Sequence, residues 1–211
     1  MGKDWKPQFG HRDFRIEQDE PLYHGFFRLD RLRVTHRCFL GGEVTIQREL
    51  YRRRDAVCVL PYDAQLDCLV LIEQFRVGTL DHPDTPWQLE LVAGLVEQGE
   101  SAEDVACREA VEEADLALGE IEHITRFTPS PGAAREYIDL LCARVDARDA
   151  GGVHGLAEEG EDIKVHRIAS DAAFAMVRSG RIDNAPAIIA IQWLEMNRPR
   201  LRARWTNAEN E

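Results

Sequence analysis

The 211-residue sequence contains no CxxC pair, no HxxxH or HExxH spacing, and no apolar run approaching the ~18 residues that a membrane-spanning helix needs. Its five cysteines, Cys38, Cys58, Cys68, Cys107 and Cys142, are scattered, which argues against a zinc site and against a disulfide framework. The opening MGKDWKPQFGHRDF lacks the apolar core of a signal peptide. Basic charge is also scarce: 26 Lys and Arg stand against 38 Asp and Glu, a formal net charge of -12. That balance opposes nucleic acid and anionic membrane surfaces, although a local basic patch can still receive an anion, and it makes a bound cation the more natural partner. The expectation is a soluble protein of a reducing, cytoplasmic compartment, with neither nucleic acid nor membrane as partner.

A chain of this length can bury a sizeable core as one domain with a smaller appendage. Residues 1–52, rich in Arg, His and Asp and turned at Gly41-Gly42, read as a small antiparallel β meander. AVCVLPYD and CLVLIEQFRV flank the turn DAQLD and read as a buried hairpin, and WQLELVAG reads as one further strand. Ser101 opens a helix as N-cap, with Asp104 as its capping-box partner, and the helix ends near Asp115. IEHITRFT and REYIDLLCARVD read as strands joined by SPGAA, and DARDAGGVHGLAEEGED is a loop long enough to be functional. IKVHRIA is a final strand, followed by helices DAAFAMVRSG and NAPAIIAIQWLEMN capped by Ser170 and Asn184. Strands and helices mix without strict alternation, so the fold class is α+β, with a main domain over 53–200 and a tail over 201–211.

GLVEQGESAEDVACREAVEEADL, residues 94–116, carries eight acidic residues and one basic one, Arg108. On a wheel of about 100° per residue with Glu109 at zero, Glu112 falls near −60° and Glu113 near +40°. A glutamate-rich helix is most simply a solvated face. Here, however, Ala102, Val105 and Ala106 lie on the same arc, so the carboxylates straddle the edge of the buried stripe. Repulsion between partly dehydrated carboxylates is costly unless a cation sits among them. Clustered oxygen ligands without His or Cys point to Mg²⁺ or Mn²⁺, and Mg²⁺ commonly bridges carboxylates to a substrate phosphate.

The spacing Gly94, Glu100, then Arg108-Glu109-Ala110-Val111-Glu112-Glu113-Ala114-Asp115-Leu116 resembles the Nudix box, GX5EX7REUXEEXGU, with Asp115 in place of its second glycine. Asp tolerates the left-handed backbone that a glycine past a helix adopts, so the motif is expected to survive. LIEQFRVG, SPGAAREY, GLAEEGEDIKVH and DNAPAIIAIQWL extend the resemblance to the ADP-ribose pyrophosphatase branch over residues 22–195. It implies a Nudix fold, a mixed β-sheet core sandwiched between helices, with the N-terminal meander serving dimerisation and substrate binding. The partner implied is a second copy, as a homodimer with exchanged N-terminal segments.

By the same resemblance, Glu109, Glu113, the Ala93 carbonyl and Glu161 are metal ligands, with Glu112 supporting them, and Glu159 is the general base. AEEGED offers Glu158, Glu159 and Glu161, and the box does not choose among them. Arg108 is an orienting partner for a box glutamate. Substrate contacts are implied for Arg76, Leu95, Ser130, Pro131, Gly132 and Glu136 and, near the partner interface, for Arg48, Glu49 and Arg53, with Phe26 or Phe27 of the second copy as an aromatic face for adenine. Read simply as residues, the phenylalanines fit a core, Arg48 and Arg53 fit a charged surface, and Ser130-Pro131-Gly132 is a turn. The activity implied is Mg²⁺-dependent hydrolysis of ADP-ribose to AMP and ribose 5-phosphate. The alternatives are another nucleoside diphosphate sugar such as GDP-mannose, a dinucleotide, or a nucleotide sensor that hydrolyses nothing.

Overall fold

The computed structural model describes residues 4–206, with Glu159 described by its main chain alone, so 1–3 and the last part of the expected tail, 207–211, lie outside the described residues. The chain divides into two compact units, Met1–Arg54 with Thr128–Glu136, and Asp55–Phe127 with Tyr137–Glu211.

The first unit is a sheet of β1 (Phe14–His24), β2 (Arg28–Arg37), β3 (Glu43–Arg52) and, further along the chain, the two-residue β9 (Ala134–Arg135), in the order β1-β2-β3-β9. β1, β2 and β3 form the expected antiparallel meander, and Gly41 and Gly42 turn it with φ of 91° and 77°. Between β2 and β3, on one sheet face, Asp30 is fully buried and receives hydrogen bonds from Arg28 and Arg52. A buried carboxylate persists only with such partners.

The second unit is built on β4 (Ala56–Asp63), β5 (Cys68–Phe75), β6 (Trp87–Glu90), β7 (Val92–Leu95), β8 (Ile121–Phe127), β10 (Ile138–Arg144), β11 (Val153–His154) and β12 (Ile163–Ala169). The path runs β11-β12-β5-β4-β10-β8, with β6 on β5 and β7 on β4; β10 is parallel to β4 and the other pairs are antiparallel. Helices α1 (Ala102–Ala114), α2 (Ser170–Ser179) and α3 (Ala185–Trp205) complete it. Side chains alternate across a strand, and β4 divides accordingly: Val57 and Val59 pack with Val105, Ala106 and Ala110 of α1, whereas Cys58, Leu60 and Tyr62 pack with Ala190, Ile191 and Leu194 of α3. The sheet is thus mixed and covered by helices on both faces. No described helix is long and apolar enough to cross a membrane.

Four local expectations differ from the structure. WQLELVAG is two strands, because the chain passes at Leu91 from pairing with β5 to pairing with β4, and a stretch with no turn residue between Trp87 and Ala93 does not reveal a change of neighbour. The strand expected to begin at Arg135 begins at Ile138, and Ala134–Arg135 pairs separately with β3. α3 continues past Asn197 and through Pro199 to Trp205, since Leu201 and Trp205 are buried in the core. Ser170 is not a cap: the N-cap of α2 is Ala169, and Ser170 Oγ donates instead to the Asp67 carbonyl and Oδ1, at 2.9 and 3.1 Å.

Asp67 is a junction. It sits in the β4–β5 turn with φ 54°, receives Tyr62 Oη–H at 2.9 Å, and is gripped by Arg198 and Arg202 of α3. Burial alone would raise its pKa, but hydrogen bonds from Arg198, Tyr62 and Ser170 outweigh burial and leave it lowered. A lowered folded pKa means stability that is present above the unfolded value of about 3.9 and is lost as pH falls below it. Asp67→Asn tolerates the turn but removes the charge, and should cost about 2 kcal/mol at pH 7, allowing for partial solvent screening. Chemical denaturation at pH 7 and again near pH 3 checks this: the gap between variant and wild type should narrow in acid.

Candidate active site

The acidic helix starts where its sequence says it should. Ser101 Oγ accepts the Asp104 N–H at 3.1 Å, and Asp104 Oδ2 accepts the Ser101 N–H at 3.0 Å, so two orphan donors of the first turn are satisfied. It ends at Asp115, which adopts φ 51° and ψ 42° and donates its N–H to the Val111 carbonyl at 3.1 Å. The left-handed ending survives without glycine.

Along α1 the usual preference is inverted: Val111 is 56% exposed while Glu113 is 3% exposed. The Glu113 carboxylate accepts the Ala93 N–H at 2.9 Å from β7. Burial, with the charges of Glu109 and Glu161 adding to it, pushes Glu113 up to about 8 against the pull of the Ala93 bond. Burial also raises Glu109, opposed by Arg108 and reinforced by Glu112 and Glu161. The carboxylates of Glu109, Glu113 and Glu161 therefore interact across one half-dry space. Gly94 makes room for it, because a Cβ built there would overlap the Glu109 carboxylate.

Arg108 braces this flank. Its Nε and Nη2 donate to Glu100 at 3.0 and 3.2 Å, its Nη1 to Glu109 at 2.6 Å and to Glu112 at 3.3 Å, and its Nη2 to the Leu95 carbonyl at 3.4 Å. The long loop approaches the same helix, since the Gly155 N–H donates to the Glu112 carbonyl at 3.2 Å. Within the loop, Glu161 Oε2 accepts the Leu156 N–H at 3.0 Å, and Glu159 ends a 3-10 turn, Ala157–Glu159, that is closed by Gly160 at φ 73°. Glu158 is exposed.

Glu109, Glu112, Glu113, Glu161 and the Ala93 main chain are thus gathered in the second unit. Among the described residues, no three His, Cys, Asp or Glu side chains are already converged on a common metal position. The bonds above account for it: Arg108 holds Glu109 and Glu112, the Ala93 amide holds Glu113, and the Leu156 amide holds Glu161. The donor set is oxygen only and negatively charged, which suits a hard divalent cation.

Arg76 also belongs to this unit. It follows β5 and donates Nε and Nη2 to Glu90 Oε2 at 3.0 and 2.8 Å. Leu95 lies on β7 and meets Arg108 through its carbonyl. The remaining sequence-derived candidates fall in the first unit. There Arg53 pairs with Glu136 at 3.1 Å and lies over the Phe27 ring at 5.4 Å, while Phe27 packs against Phe26 and Tyr51 at 4.7 and 5.0 Å. Phe26 is 81% exposed, so this aromatic group is not a core, and Glu136 is buried under Arg53. Arg48 and Glu49 are exposed on β3, and Ser130, Pro131 and Gly132 form an exposed turn. Neither Glu90 nor Glu100 is among the site residues expected from the sequence. Glu100 was marked by its fixed place in the box spacing, whereas Glu90 had no signal beyond an acid within a buried strand.

Buried like charges cost stability that a cation returns. In the presence of a chelator, Glu113→Gln is expected to melt roughly 2–4 °C above wild type, the equivalent of ~1 kcal/mol for a chain of this size. Saturating Mg²⁺ should raise the wild-type melting temperature and barely move that of the variant. Differential scanning calorimetry with and without Mg²⁺ checks both.

Comparison with known proteins agrees with this arrangement. The sequence model of the NUDIX domain matches residues 52–170, which include the box helix and the loop that approaches it. Relatives named ADP-ribose pyrophosphatase are 45% identical over 199 residues in Escherichia coli, covering 93% of this chain and 95% of the relative, and 42% identical over 201 residues in Haemophilus influenzae, covering 93% of each. A solved structure described as an ADP compounds hydrolase superposes with a TM-score of 0.68 over 93% of this chain and 98% of its own, at 19% identity, and so shares the fold. Helix, carboxylates and loop occur together in the segment that the family's pattern spans, and the chain belongs to the Nudix family.

Proposed function

We propose that the protein hydrolyses the diphosphate of ADP-ribose to AMP and ribose 5-phosphate. One observation carries the reaction: α1 buries Glu113 against the Ala93 amide of β7 and sets the Glu109 carboxylate against Gly94, with the charge of the loop residue Glu161 acting on both. The relatives named ADP-ribose pyrophosphatase support the choice of substrate. Glu109, Glu113, Glu161 and the Ala93 carbonyl would hold the metal, with Glu112 close by. Bound there, Mg²⁺ or Mn²⁺ neutralises the diphosphate charge and acidifies the attacking water.

The chain supplies the remainder. The Glu159 carboxylate accepts the proton of the attacking water as general base. Its place in a loop lets closure over substrate complete the site. Arg76 presents its guanidinium to a phosphate oxygen: Glu90 takes Nε and Nη2 and orients the group. Leu95 borders the site through β7. Phe26 or Phe27, from the second copy's N-terminal unit, offers a ring on which adenine stacks, with Arg48, Glu49, Arg53, Glu136 and the Ser130-Pro131-Gly132 turn as polar contacts. The active form is a homodimer with exchanged N-terminal segments. Phe14, Ile16, Tyr23 and Phe26 are exposed on or beside the N-terminal sheet, and such apolar surface favours a partner. The scattered free thiols fit a cytoplasmic enzyme.

AMP release from ADP-ribose, GDP-mannose and a dinucleotide cofactor, each with and without Mg²⁺, tests the reading. Glu159→Gln should lower kcat about 10²–10⁴-fold, the usual contribution of a general base. Near wild-type rates in both Glu159→Gln and Glu113→Gln would mean that the chemistry has been assigned to the wrong groups. Analytical ultracentrifugation should give a dimer, and a monomeric active enzyme would remove the exchange.

A further inference from the structure

Between β5 and β6 the chain makes an excursion over 76–86, and Arg76 stands at its entrance. The neck is closed by the Arg76 N–H bond to the Pro86 carbonyl, 2.9 Å, and Thr79 Oγ lies 3.0 and 3.3 Å from the Arg76 and Pro86 carbonyls. Apolar packing does little for the remainder. Val77 is 75% exposed and Leu80 62% exposed, and a cavity of about 390 Å³ adjoins the excursion, lined by residues that include His82, Trp87, Leu89, Met176 and Asp183. A segment with so little buried apolar surface stays where its polar bonds hold it.

Beyond the neck, Gln88 Nε2 donates to the Thr85 carbonyl at 3.2 Å, and His82 supplies further side-chain bonds. Its Nδ1 lies 3.2 and 3.3 Å from the N–H groups of Asp84 and Thr85. Backbone amides only donate, so Nδ1 is the unprotonated acceptor and the ring proton sits on Nε2. Nε2 then donates to Asp183 Oδ2 at 3.0 Å. One nitrogen closes a turn of the excursion, and the other fastens that turn to the segment between α2 and α3. The adjoining Asn184 caps α3 and donates Nδ2 to the Leu89 carbonyl of β6 at 2.8 Å. The same helix end therefore holds both the excursion and the strand that carries Glu90, the partner of Arg76.

We propose that His82 is a positioning residue for diphosphate hydrolysis: its bond to Asp183 fixes the excursion, and with it the direction in which Arg76 offers its guanidinium to the substrate phosphate. This rests on the reading of Arg76 given above. His82 acts through Arg76 on the binding of a phosphate, so its loss weakens substrate binding more than the chemical step.

The test uses the full-length enzyme, with kcat and KM for ADP-ribose and the melting temperature measured for wild type, Arg76→Ala, Asp183→Ala, His82→Asn and His82→Gln. Glutamine places an amide donor near the position of Nε2, whereas asparagine places an acceptor near Nδ1 and falls short of Asp183. His82→Asn and Asp183→Ala should raise KM roughly 5- to 20-fold with kcat within about twofold, the scale of one lost charge-assisted hydrogen bond. His82→Gln should restore most of the KM, and the melting temperature should stay within about 2 °C of wild type throughout. Unchanged KM in His82→Asn and Asp183→Ala overturns the proposal, as does equal damage in the Asn and Gln variants that follows a fall in melting temperature. An unchanged KM in Arg76→Ala sinks the reading of Arg76 itself, a separate failure.

Discussion

Like charges at the edge of a dry core are the constraint around which this protein is arranged. Glu113 is almost fully buried, and each of Glu109 and Glu161 adds to the cost of ionising it. A fold dominated by packing would place an aliphatic side chain there and turn the carboxylate outward; α1 instead exposes Val111. Several features of the surrounding structure serve this arrangement. Gly94 leaves the space into which the Glu109 carboxylate fits, the Ala93 amide points at Glu113, and the Gly155 amide ties the loop to the Glu112 carbonyl. Such local costs persist because neighbouring structure over-determines them.

That neighbouring structure is the sheet. β4 is its pivot, since alternate residues feed the α1 core and the α3 core, and β7 pairs with it along Ala56–Val59. The pairing sets Ala93 opposite Cys58, a residue rooted in the α3 side of the core. The position of the amide that meets Glu113 is thereby fixed by burial on the far face of the sheet. Asp67 has a comparable role at the other end of β4, joining the β4–β5 turn to α2 and α3 through Ser170 and Arg198. Chemistry on one face depends on packing on the other.

The sequence made the box helix legible for a physical reason: its cap, its periodicity and three of its carboxylates, Glu109, Glu112 and Glu113, are all local, lying within residues 94–116. Ser101, Asp104 and the left-handed Asp115 are accordingly where the spacing puts them. Contacts made at long range were harder to read. The change of strand partner at Leu91 leaves no mark in a stretch that has no turn residue between Trp87 and Ala93, and the burial of Trp205 that carries α3 through Pro199 depends on residues far away in the chain. Ser170 looked like a cap because caps favour serine, yet its hydroxyl meets Asp67, more than a hundred residues earlier. The same holds in the site. Glu90, which orients Arg76, gave no local signal, and neither did the tautomer of His82, which is set by two backbone amides and a distant aspartate.

Arg108 shows how a charged cluster can be held without being neutralised outright. A lone arginine on Glu109 would merely cancel one charge, and any cation entering the cluster would leave that arginine unpaired at a real desolvation cost. Here the guanidinium has other partners: two bonds to Glu100 and one to the Leu95 carbonyl lie away from the Glu109–Glu113–Glu161 group. Its own charge stays compensated whatever Glu109 does. Glu109 is therefore held in place through a bond it can give up, and the fixed box spacing from Glu100 to Arg108 to Glu109 follows from that requirement.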